Sequence, residues 1–329
     1  MKYKDISITW KGDVTSYSGT AQYARSLLEP LIKGGASVRL EMQPPIKPEC
    51  ELSAWWGEQF QILSKNSGGD VKIVCSPLDR LDPADKEEKI LITHWETREV
   101  PSSAIKLLQS RFIKHLIVPN KDLAISAKAI SDNPVGIVQM PVETDSLQDL
   151  APLKINGIDS NTICYGFIGE WNNRNNISDV LVSYLKAFTD KDNVALVLKT
   201  FANNIQDLNE RKKLLALIQK IKQDCKKPNT PKIILLQEVM GYDTINSLLN
   251  RINIYVCSSR GDSKNLSAMK ALAMGKQLII CDHTSNKSFI SENNANIHVL
   301  PHMYEPVILD KTTYSILDVW ARTDSVTLS

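Results

Sequence analysis

Short apolar runs alternate with helical patterns through almost the whole chain, and this alternation most limits its possible folds. For example, the apolar run Ile252–Cys257 leads into a polar loop, a helical pattern over Leu266–Met274 and a further apolar run, Gln277–Cys281. Short, continuous apolar runs are typical of parallel strands buried on both faces, and helices usually connect such strands. The sequence therefore predicts an α/β fold with doubly wound parallel sheets.

The strand and helix candidates form two series. The first has strands at Ile6–Trp10, Ser37–Met42, Val71–Cys75, Lys89–Thr93, His115–Pro119 and Val135–Gln139, with helices at Thr20–Lys33, Ser102–Arg111 and Asp122–Ser131. The second has strands at Thr162–Gly169, Asn193–Lys199, Lys232–Leu236, Ile252–Cys257, Gln277–Cys281 and Asn296–Leu300, with helices at Ile177–Phe188, Asn209–Lys222, Asp243–Asn250 and Leu266–Met274. The polar segment Pro141–Pro152 is a plausible linker. We predict two Rossmann-like domains, residues 1–145 and 146–311, that face each other across a cleft, and a helix over Thr312–Arg322.

The composition is that of a soluble globular protein. Of 329 residues, 43% are hydrophobic and 23% are charged, and the formal net charge of +2 gives no argument for nucleic acid. The apolar runs are far shorter than a membrane span, and the N-terminus lacks a signal-peptide core. The six cysteines contain no C-x-x-C pair and the histidines are scattered. We therefore expect reduced, buried thiols, no metal site and a cytoplasmic protein.

The segment Ser258–Lys276 carries the most specific motif. It places a polar loop and a helix start at the carboxyl edge of a predicted sheet, where open α/β folds bind ligands and where helix N–H groups favour anions. The segment resembles the donor-sugar loop of the retaining, nucleotide-sugar-dependent glycosyltransferases of family 4. That loop usually has an acid, a glycine-rich turn and a Glu eight positions after the acid. Here the acid is Asp262, and Lys270 stands where the Glu is expected.

The segment Gly166–Asn176 resembles the strand and glycine-led loop that opens the donor domain of this family. Basic residues after the glycine hold the diphosphate there, because the leaving group gains negative charge as the glycosidic bond breaks. In this chain Gly169 is followed by Glu170, and Arg174 is the candidate phosphate ligand. The alternative is that Arg174 is an ordinary surface arginine.

Lys199 ends the apolar run that begins at Asn193. A lysine at the carboxyl end of a parallel strand lies at the ligand-binding edge by topology, and its compact charge suits phosphate. Many family members place a phosphate-binding basic residue near this position. We therefore predict a donor-binding role for Lys199.

Two segments of the first half also resemble the family. Leu91–Pro101 is similar to its Trp-Glu element, which implies that His94 and Glu96 contact the donor sugar or the acceptor. The alternative is that His94 is a histidine near the core whose hydrogen bonds are made within the protein. Tyr17–Ala24 is similar to a glycine-containing loop beside the sugar and diphosphate, and Ser18 or Thr20 can cap the following helix.

The resemblance implies the two-domain fold called GT-B, with a last helix within residues 312–329 that crosses back to the first domain. It implies transfer of a sugar with retention from a UDP- or GDP-linked donor to a saccharide or small-molecule acceptor, without a metal or other cofactor. The residues it implies as catalytic are Asp262, His94 and Glu96. Those it implies as donor-binding are Gly19, Thr20, Gly169, Arg174, Lys199, Arg260, Asn265, Leu266 and Lys270.

Lys270 departs from the family pattern and leaves alternatives open. An ammonium can only donate hydrogen bonds, so a ribose diol would have to accept. Lys270 could instead pair with a phosphate, with Asp262 or with Glu238. The departure is compatible with an unusual donor geometry, with a different donor or with lost catalysis. The competing functions are a noncatalytic partner subunit, a nucleotide-sugar epimerase and a virus-type DNA-base glycosyltransferase, which would need a basic groove.

Overall fold

The computed structural model describes residues 2–41, 54–142, 144, 147, 150–201, 208–290, 295–308 and 314–323. The chain divides into two compact units. One consists of Met1–Pro141 and Lys311–Asp318, and the other of Val142–Asp310 and Val319–Ser329. The domain limits at residues 145 and 311 stay predictions from the sequence.

The first unit contains a parallel six-stranded sheet of order β2-β1-β3-β4-β5-β6. Its strands are β1 (Ser7–Lys11), β2 (Ser37–Glu41), β3 (Val71–Cys75), β4 (Lys89–Ile92), β5 (Ile113–Val118) and β6 (Val135–Ile137). Its helices are α1 (Gly19–Lys33), α2 (Ala54–Leu63), α3 (Ile105–Leu108) and α4 (Lys121–Lys128). Because the chain goes from β1 to β2 on one side and returns to β3 on the other, the strand order reverses between β1 and β3.

The helix α1 shows how the sequence forms these elements. The Ser18 hydroxyl caps its start by accepting from the Ala21 N–H at 3.1 Å, which satisfies one of the otherwise unpaired donors of the first turn. Ala21, Ala24 and Leu28 follow at helical spacing and are fully buried. Of the two capping residues predicted from the sequence, Ser18 therefore has this role.

The second unit contains another parallel six-stranded sheet, of order β12-β11-β10-β7-β8-β9. Its strands are β7 (Ile163–Glu170), β8 (Val194–Phe201), β9 (Lys232–Leu236), β10 (Ile254–Cys257), β11 (Gln277–Cys281) and β12 (Ile297–Leu300). Its helices are α5 (Ile177–Ala187), α6 (Leu208–Asp224), α7 (Tyr242–Arg251) and α8 (Leu266–Ala273). The strand order reverses between the neighbours β7 and β10, which makes this pair the topological switch point.

Hydrophobic clusters cover both faces of the second sheet. Leu196 and Leu198 of β8 belong to the cluster that contains the buried residues of α5, whereas Val197 belongs to the cluster that contains those of α7 and α8. Successive side chains of a strand point to opposite faces, so one continuous apolar run supplies both layers. This confirms the predicted α/β class.

The helix predicted over Thr312–Arg322 is wrong for the described part of that segment, residues 314–323. Tyr314–Asp318 forms a turn, and Val319–Arg322 is a strand, β14, which pairs antiparallel with β13 (Met303–Pro306). The Trp320 side chain is 2% exposed. Burial of this tryptophan and pairing with β13 outweigh the local helical pattern.

The sequence did not predict α2, which carries the Trp55–Trp56 pair. The two rings meet edge to face with their centroids 5.1 Å apart. Trp56 is buried, and the Lys33 ammonium lies 5.2 Å from the centre of the half-buried Trp55 ring. The pair therefore packs within the first unit.

Five cysteines are free, four of them buried, while Cys50 and the predicted end of a strand at Met42 lie outside the described residues. Among the helices described, none has the length and apolar character needed to span a membrane.

Candidate functional site

The carboxyl ends of β7 and β10 lie side by side at the centre of the second sheet. The two strands pair directly, with Tyr255 opposite Gly166, although β8 and β9 lie between them in the sequence. The connections after β7 and after β10 lead to opposite sides, and open α/β folds bind ligands in a crevice at such a point. We call loops 171–175 and 258–264, together with the strand ends that carry them, the switch-point crevice.

The two helices that follow these loops begin in the same unusual way. Asn176 precedes α5 with φ 55° and ψ 35°, and Asn265 precedes α8 with φ 41° and ψ 52°. Asparagine is among the few residues that adopt this left-handed conformation readily. Neither side chain caps its own helix. Both helices therefore begin at the crevice, where their first N–H groups and dipoles favour an anion.

The Asn265 side chain ties the crevice to the neighbouring strand end. Its Nδ2 donates to Oδ1 of the buried Asn286 at 2.7 Å and to Sγ of Cys257 at 3.0 Å. Leu266, also predicted as donor-binding, is the first residue of α8.

Hydrogen bonds join the two loops of the crevice into one unit. The Arg260 N–H donates to the Arg174 carbonyl at 2.7 Å, and the Arg174 guanidinium donates to the Gly261 carbonyl at 2.8 Å. The arginine predicted as a phosphate ligand therefore also fixes the shape of the crevice. Its role toward a phosphate stays a prediction.

The Arg260 side chain is held by the β13–β14 hairpin. Glu305 accepts from Arg260 and, at 3.3 Å, from Arg322. The Arg260 guanidinium also lies 5.8 Å from the centre of the Trp320 ring, and its buried Nε has no hydrogen-bond partner within the described part of the chain. Arg260 thus anchors the hairpin to the loop after β10. Its role in binding a donor stays a prediction.

Asp262 shapes the loop that leads into α8. Its Oδ1 accepts from the N–H groups of Lys264 at 3.1 Å and Asn265 at 2.9 Å, which forms an Asx turn. The residue is half-buried. The predicted catalytic acid therefore has a structural task in the chain itself, and its contact with a sugar stays a prediction.

Gly169 lies within β7 and not in the following loop. A Cβ at this position would lie 2.9 Å from Cζ of the Phe167 ring and 3.5 Å from Nδ2 of Asn175. Asn175 in turn donates to the Glu170 carbonyl at 2.7 Å. The missing side chain lets the loop after β7 approach the strand closely.

Lys270 lies on α8 and contacts α7. Its ammonium donates to Oδ1 of Asn246 at 3.0 Å and lies 5.9 Å from the centre of the Tyr242 ring. Asn246 is 3% exposed. Of the pairings considered from the sequence, none named Asn246, and this contact gives the lysine a role in helix packing.

Buried polar groups gather at the carboxyl ends of β8 and β9, beside the crevice. The Thr200 hydroxyl and both polar atoms of the Gln237 amide are buried and have no hydrogen-bond partner among the residues that the structure describes. Burial lowers the pKa of the neighbouring Lys199, and the negative charge of Glu238 partly opposes this shift. Unpaired buried polar groups are costly, so these atoms are candidates for pairing with water or with a ligand.

His283 is a further polar residue of this region that the sequence did not single out. It is fully buried, and its Nε2 hydrogen-bonds the Ser259 carbonyl. Burial lowers its pKa to about 4. The imidazole is therefore neutral at physiological pH and positions the loop after β10 without adding charge.

In the first unit, Thr20 and His94 lie together. The Thr20 hydroxyl is 3.3 Å from His94 Nε2, and His94 is 6% exposed. Thr20 belongs to the first turn of α1, and His94 follows the carboxyl end of β4. Gly19 begins α1, and a Cβ there would meet no atom within 4 Å.

Glu96 contacts the returning C-terminal segment. Its carboxylate accepts from the Tyr314 hydroxyl, and its own N–H donates to the same oxygen at 2.9 Å. Close by, the Ser102 N–H donates to Asp318 at 2.7 Å. The segment Tyr314–Asp318 therefore packs against the first sheet through polar contacts, and Glu96 has a structural partner in addition to its predicted role.

Several predicted residues thus converge on the switch-point crevice, namely Gly169, Arg174, Arg260, Asp262, Asn265 and Leu266. Thr20 and His94 meet in the first unit, whereas Lys270 contacts α7. Sequence reasoning missed Thr200, Gln237 and His283. A search for polar residues that directly follow apolar strands would have found Gln237, which follows β9, because such residues lie at the carboxyl edge of a parallel sheet. Thr200 lies within β8 and His283 lies two residues beyond β11, so that search would have missed both.

No protein-family model and no curated protein sequence matches the chain. Solved structures do match its fold. Sucrose-phosphate synthase from Thermosynechococcus elongatus gives a TM-score of 0.63 at 13% identity, over 89% of this chain and 85% of that chain. Anabaena HepE, in complex with UDP and glucose, gives 0.55 at 10% identity, over 90% and 85%. A UDP-forming α,α-trehalose-phosphate synthase from Burkholderia xenovorans gives 0.52 at 10% identity, over 65% and 59%. The two parallel-sheet α/β units therefore have the GT-B fold of glycosyltransferases.

Proposed function

We propose that the chain is a glycosyltransferase that moves a sugar from a nucleotide-diphosphate donor to a hydroxyl acceptor. The switch-point crevice carries this proposal, because two helix starts and two arginine-joined loops meet there. A diphosphate would accept hydrogen bonds from the helix N–H groups and pair with Arg174. The names of similar structures support a sugar-nucleotide donor, since one is a UDP-forming synthase and another contains UDP and glucose.

The nucleoside of the donor would bind at the ends of β8 and β9. The unpartnered Gln237 amide offers both a donor and an acceptor, which suits the edge of a uracil or guanine base. Thr200 offers a hydroxyl on one face of β8. Lys199, on the opposite face of the same strand, offers a positive charge whose burial cost an anionic ligand at the strand end would offset. A UDP- or GDP-linked sugar therefore fits the chemistry of this edge.

The proposed transfer retains the configuration at the anomeric carbon. The bond from this carbon to the diphosphate oxygen breaks, the acceptor oxygen bonds to the same face, and the acceptor proton passes to the leaving phosphate. The protein then needs to position the partners and stabilise the growing negative charge. Asp262, His94 and Glu96 are proposed to contact sugar hydroxyls, and the reaction asks for no cofactor beyond the nucleotide sugar.

The acceptor is proposed to be a saccharide or another small hydroxyl compound. None of the contacts described above favours the alternatives of a DNA base or an epimerase reaction. A DNA acceptor would reveal itself through duplex binding that weakens steeply with salt.

A noncatalytic binding subunit is the second candidate, and one contact favours it. At the position where family members place a ribose-binding Glu, Lys270 donates to Asn246 of α7. The lysine thus has a structural partner at the position where the family has a ribose-binding acid. Such a subunit would bind a nucleotide without turning over a nucleotide sugar.

The experiment that tests the proposal measures binding and hydrolysis on the full chain. UDP, GDP and their glucose- and mannose-linked forms are titrated while the melting temperature is followed, because a ligand of the folded state raises it by mass action. Release of free nucleoside diphosphate without acceptor reports catalysis. Lys199→Met is the test variant. Lys276→Met is its control, because the pKa of Lys276 is also lowered by burial but this residue precedes β11 at the opposite edge of the sheet.

We expect one nucleotide series to raise the melting temperature, Lys199→Met to reduce that shift and Lys276→Met to preserve it. Slow hydrolysis by the wild-type chain completes the support. Binding without hydrolysis selects the noncatalytic subunit. Absence of binding across the panel, or equal effects of the two lysine variants, overturns the proposed donor site.

A further inference from the structure

A separate cluster of polar side chains lies at the carboxyl ends of β11 and β12. Cys281 is the last residue of β11, Asp282 follows it, and His302 follows the end of β12. Ligand atoms from the three side chains all lie within 4.8 Å of one another. Nδ1 of His302 lies 3.0 Å from Oδ1 of Asp282.

We propose that Cys281, Asp282 and His302 bind a zinc ion. The three groups are a thiolate, a carboxylate and an imidazole, and zinc accepts all of these ligand types. Magnesium and calcium prefer oxygen ligands alone, so the cysteine argues against both. The site goes beyond the proposed sugar transfer, which needs no metal.

The distances suit a tetrahedral zinc after a small adjustment. Zinc–sulfur bonds of about 2.3 Å and zinc–nitrogen bonds of about 2.0 Å place ligand atoms about 3.5 Å apart. The widest separation in the cluster, at most 4.8 Å, therefore has to shrink by about 1 Å. The His302 and Asp282 atoms are already 3.0 Å apart, so this movement concerns the distances to the Cys281 sulfur.

The surroundings bear on two of the ligands. Burial raises the pKa of the Cys281 thiol, so an ion would have to displace the thiol proton, as metals do when they bind cysteine. The His302 ring packs edge to face against Tyr304, with centroids 5.0 Å apart, which fixes its orientation. Such supporting contacts around the ligands typically strengthen metal sites.

Exposure leaves the site open on one side. Cys281 is fully buried, the His302 side chain is 13% exposed, and Asp282 reaches solvent. A zinc ion could therefore enter past Asp282 and keep a water as its fourth ligand. When bound, it would link the ends of β11 and β12 next to His283, which contacts the loop after β10 through Ser259.

The test uses the full chain after treatment with a chelator. Zinc chloride is titrated by calorimetry, and cobalt chloride is titrated by absorption, because a thiolate ligand gives Co²⁺ a charge-transfer band in the near ultraviolet. Cys281→Ser and Asp282→Asn remove ligands. Cys164→Ser and His298→Ala are the matched controls, since Cys164 is equally buried near the start of β7 and His298 is exposed on β12.

We expect one zinc per chain, a thiolate band with Co²⁺ and at least a 10-fold loss of affinity in each ligand variant. Cys281→Ser should abolish the band, and the controls should keep both band and affinity. If Cys281→Ser does not fold, the zinc affinity of Asp282→Asn still tests the site. The Asp282 side chain is exposed, so this substitution does not require the protein core to repack. No binding, a spectrum without the band, or unchanged affinity in Asp282→Asn overturns the proposal. Equal binding of magnesium would also overturn it.

Discussion

The ammonium of Lys270 lies 3.0 Å from Oδ1 of Asn246, so a charged residue of α8 satisfies a buried amide of α7. The contact explains how the chain accommodates a lysine at a position where the family resemblance implies an acid. Because Lys270 has this partner, the residues at the ends of β8 and β9 are better candidates for donor binding than Lys270 is.

Replacement of Lys270 by Met should destabilise the second unit. The change leaves the Asn246 amide buried without this donor, which typically costs about 1–3 kcal/mol. Urea denaturation measures the loss, and Lys270→Gln, which can still donate, should lose less. Equal stability of the Met variant and the wild type would show that the contact contributes nothing.

The ion pairs of Glu305 should differ in their contributions to stability. The Arg260 and Glu305 side chains are each only 21% exposed, whereas that of Arg322 is 53% exposed. Glu305→Gln should therefore cost about 1–3 kcal/mol, because it leaves the half-buried Arg260 without its anion. Arg322→Gln should cost less than about 1 kcal/mol, as exposed pairs usually do. Thermal or chemical denaturation of the two variants compares them directly, and a reversed order would contradict this assignment.

Lys199→Met should stabilise the ligand-free chain while weakening nucleotide binding. Burial lowers the pKa of Lys199 below its ordinary value of 10.5, so the charged form destabilises the folded state. This cost is fully present below the folded-state pKa and disappears as the pH rises toward 10.5. The variant should be more stable by about 1 kcal/mol at neutral pH, and its advantage should shrink in alkaline buffer. A constant advantage at every pH would exclude a charge effect.

Asp13 should make stability depend on acid pH. Burial alone would raise the pKa of its carboxyl, but hydrogen bonds from Ser16 and Thr15 together hold it below 3.8. Its stabilisation is therefore present above pH 3.8 and is lost as the pH falls through the lowered pKa. Asp13→Asn should cost about 1–2 kcal/mol at neutral pH, because it loses charge-assisted hydrogen bonds. Denaturation at several pH values should show the two proteins converging in acid, and a gap that widens there would refute this.

The parallel strands could be predicted because each is an apolar run in its own right. Lys232–Leu236 and Gln277–Cys281 have the same limits in the sequence analysis and in the structure. The β13–β14 hairpin could not be predicted in this way. Trp320 contacts Arg260, which is distant in the sequence, and no local pattern reveals that contact.

The candidate site was also predictable in part, namely where it depends on local sequence patterns. Asp262, Asn265 and Arg174 belong to loops that a strand-loop-helix pattern identifies, and they do lie together. The Lys270–Asn246 contact depends on how α7 and α8 pack, which neither helix reveals alone. The same is true of Cys281 and His302, whose proximity follows from the pairing of β11 with β12.

The reciprocal bonds from Arg260 to the Arg174 carbonyl and from Arg174 to the Gly261 carbonyl have a consequence for protein engineering. A graft that exchanges only one of these loops with a homologue would bring in a mismatched partner for the other. The shape of the crevice should therefore be transferable between related proteins only when both segments are transplanted together, as a single cassette.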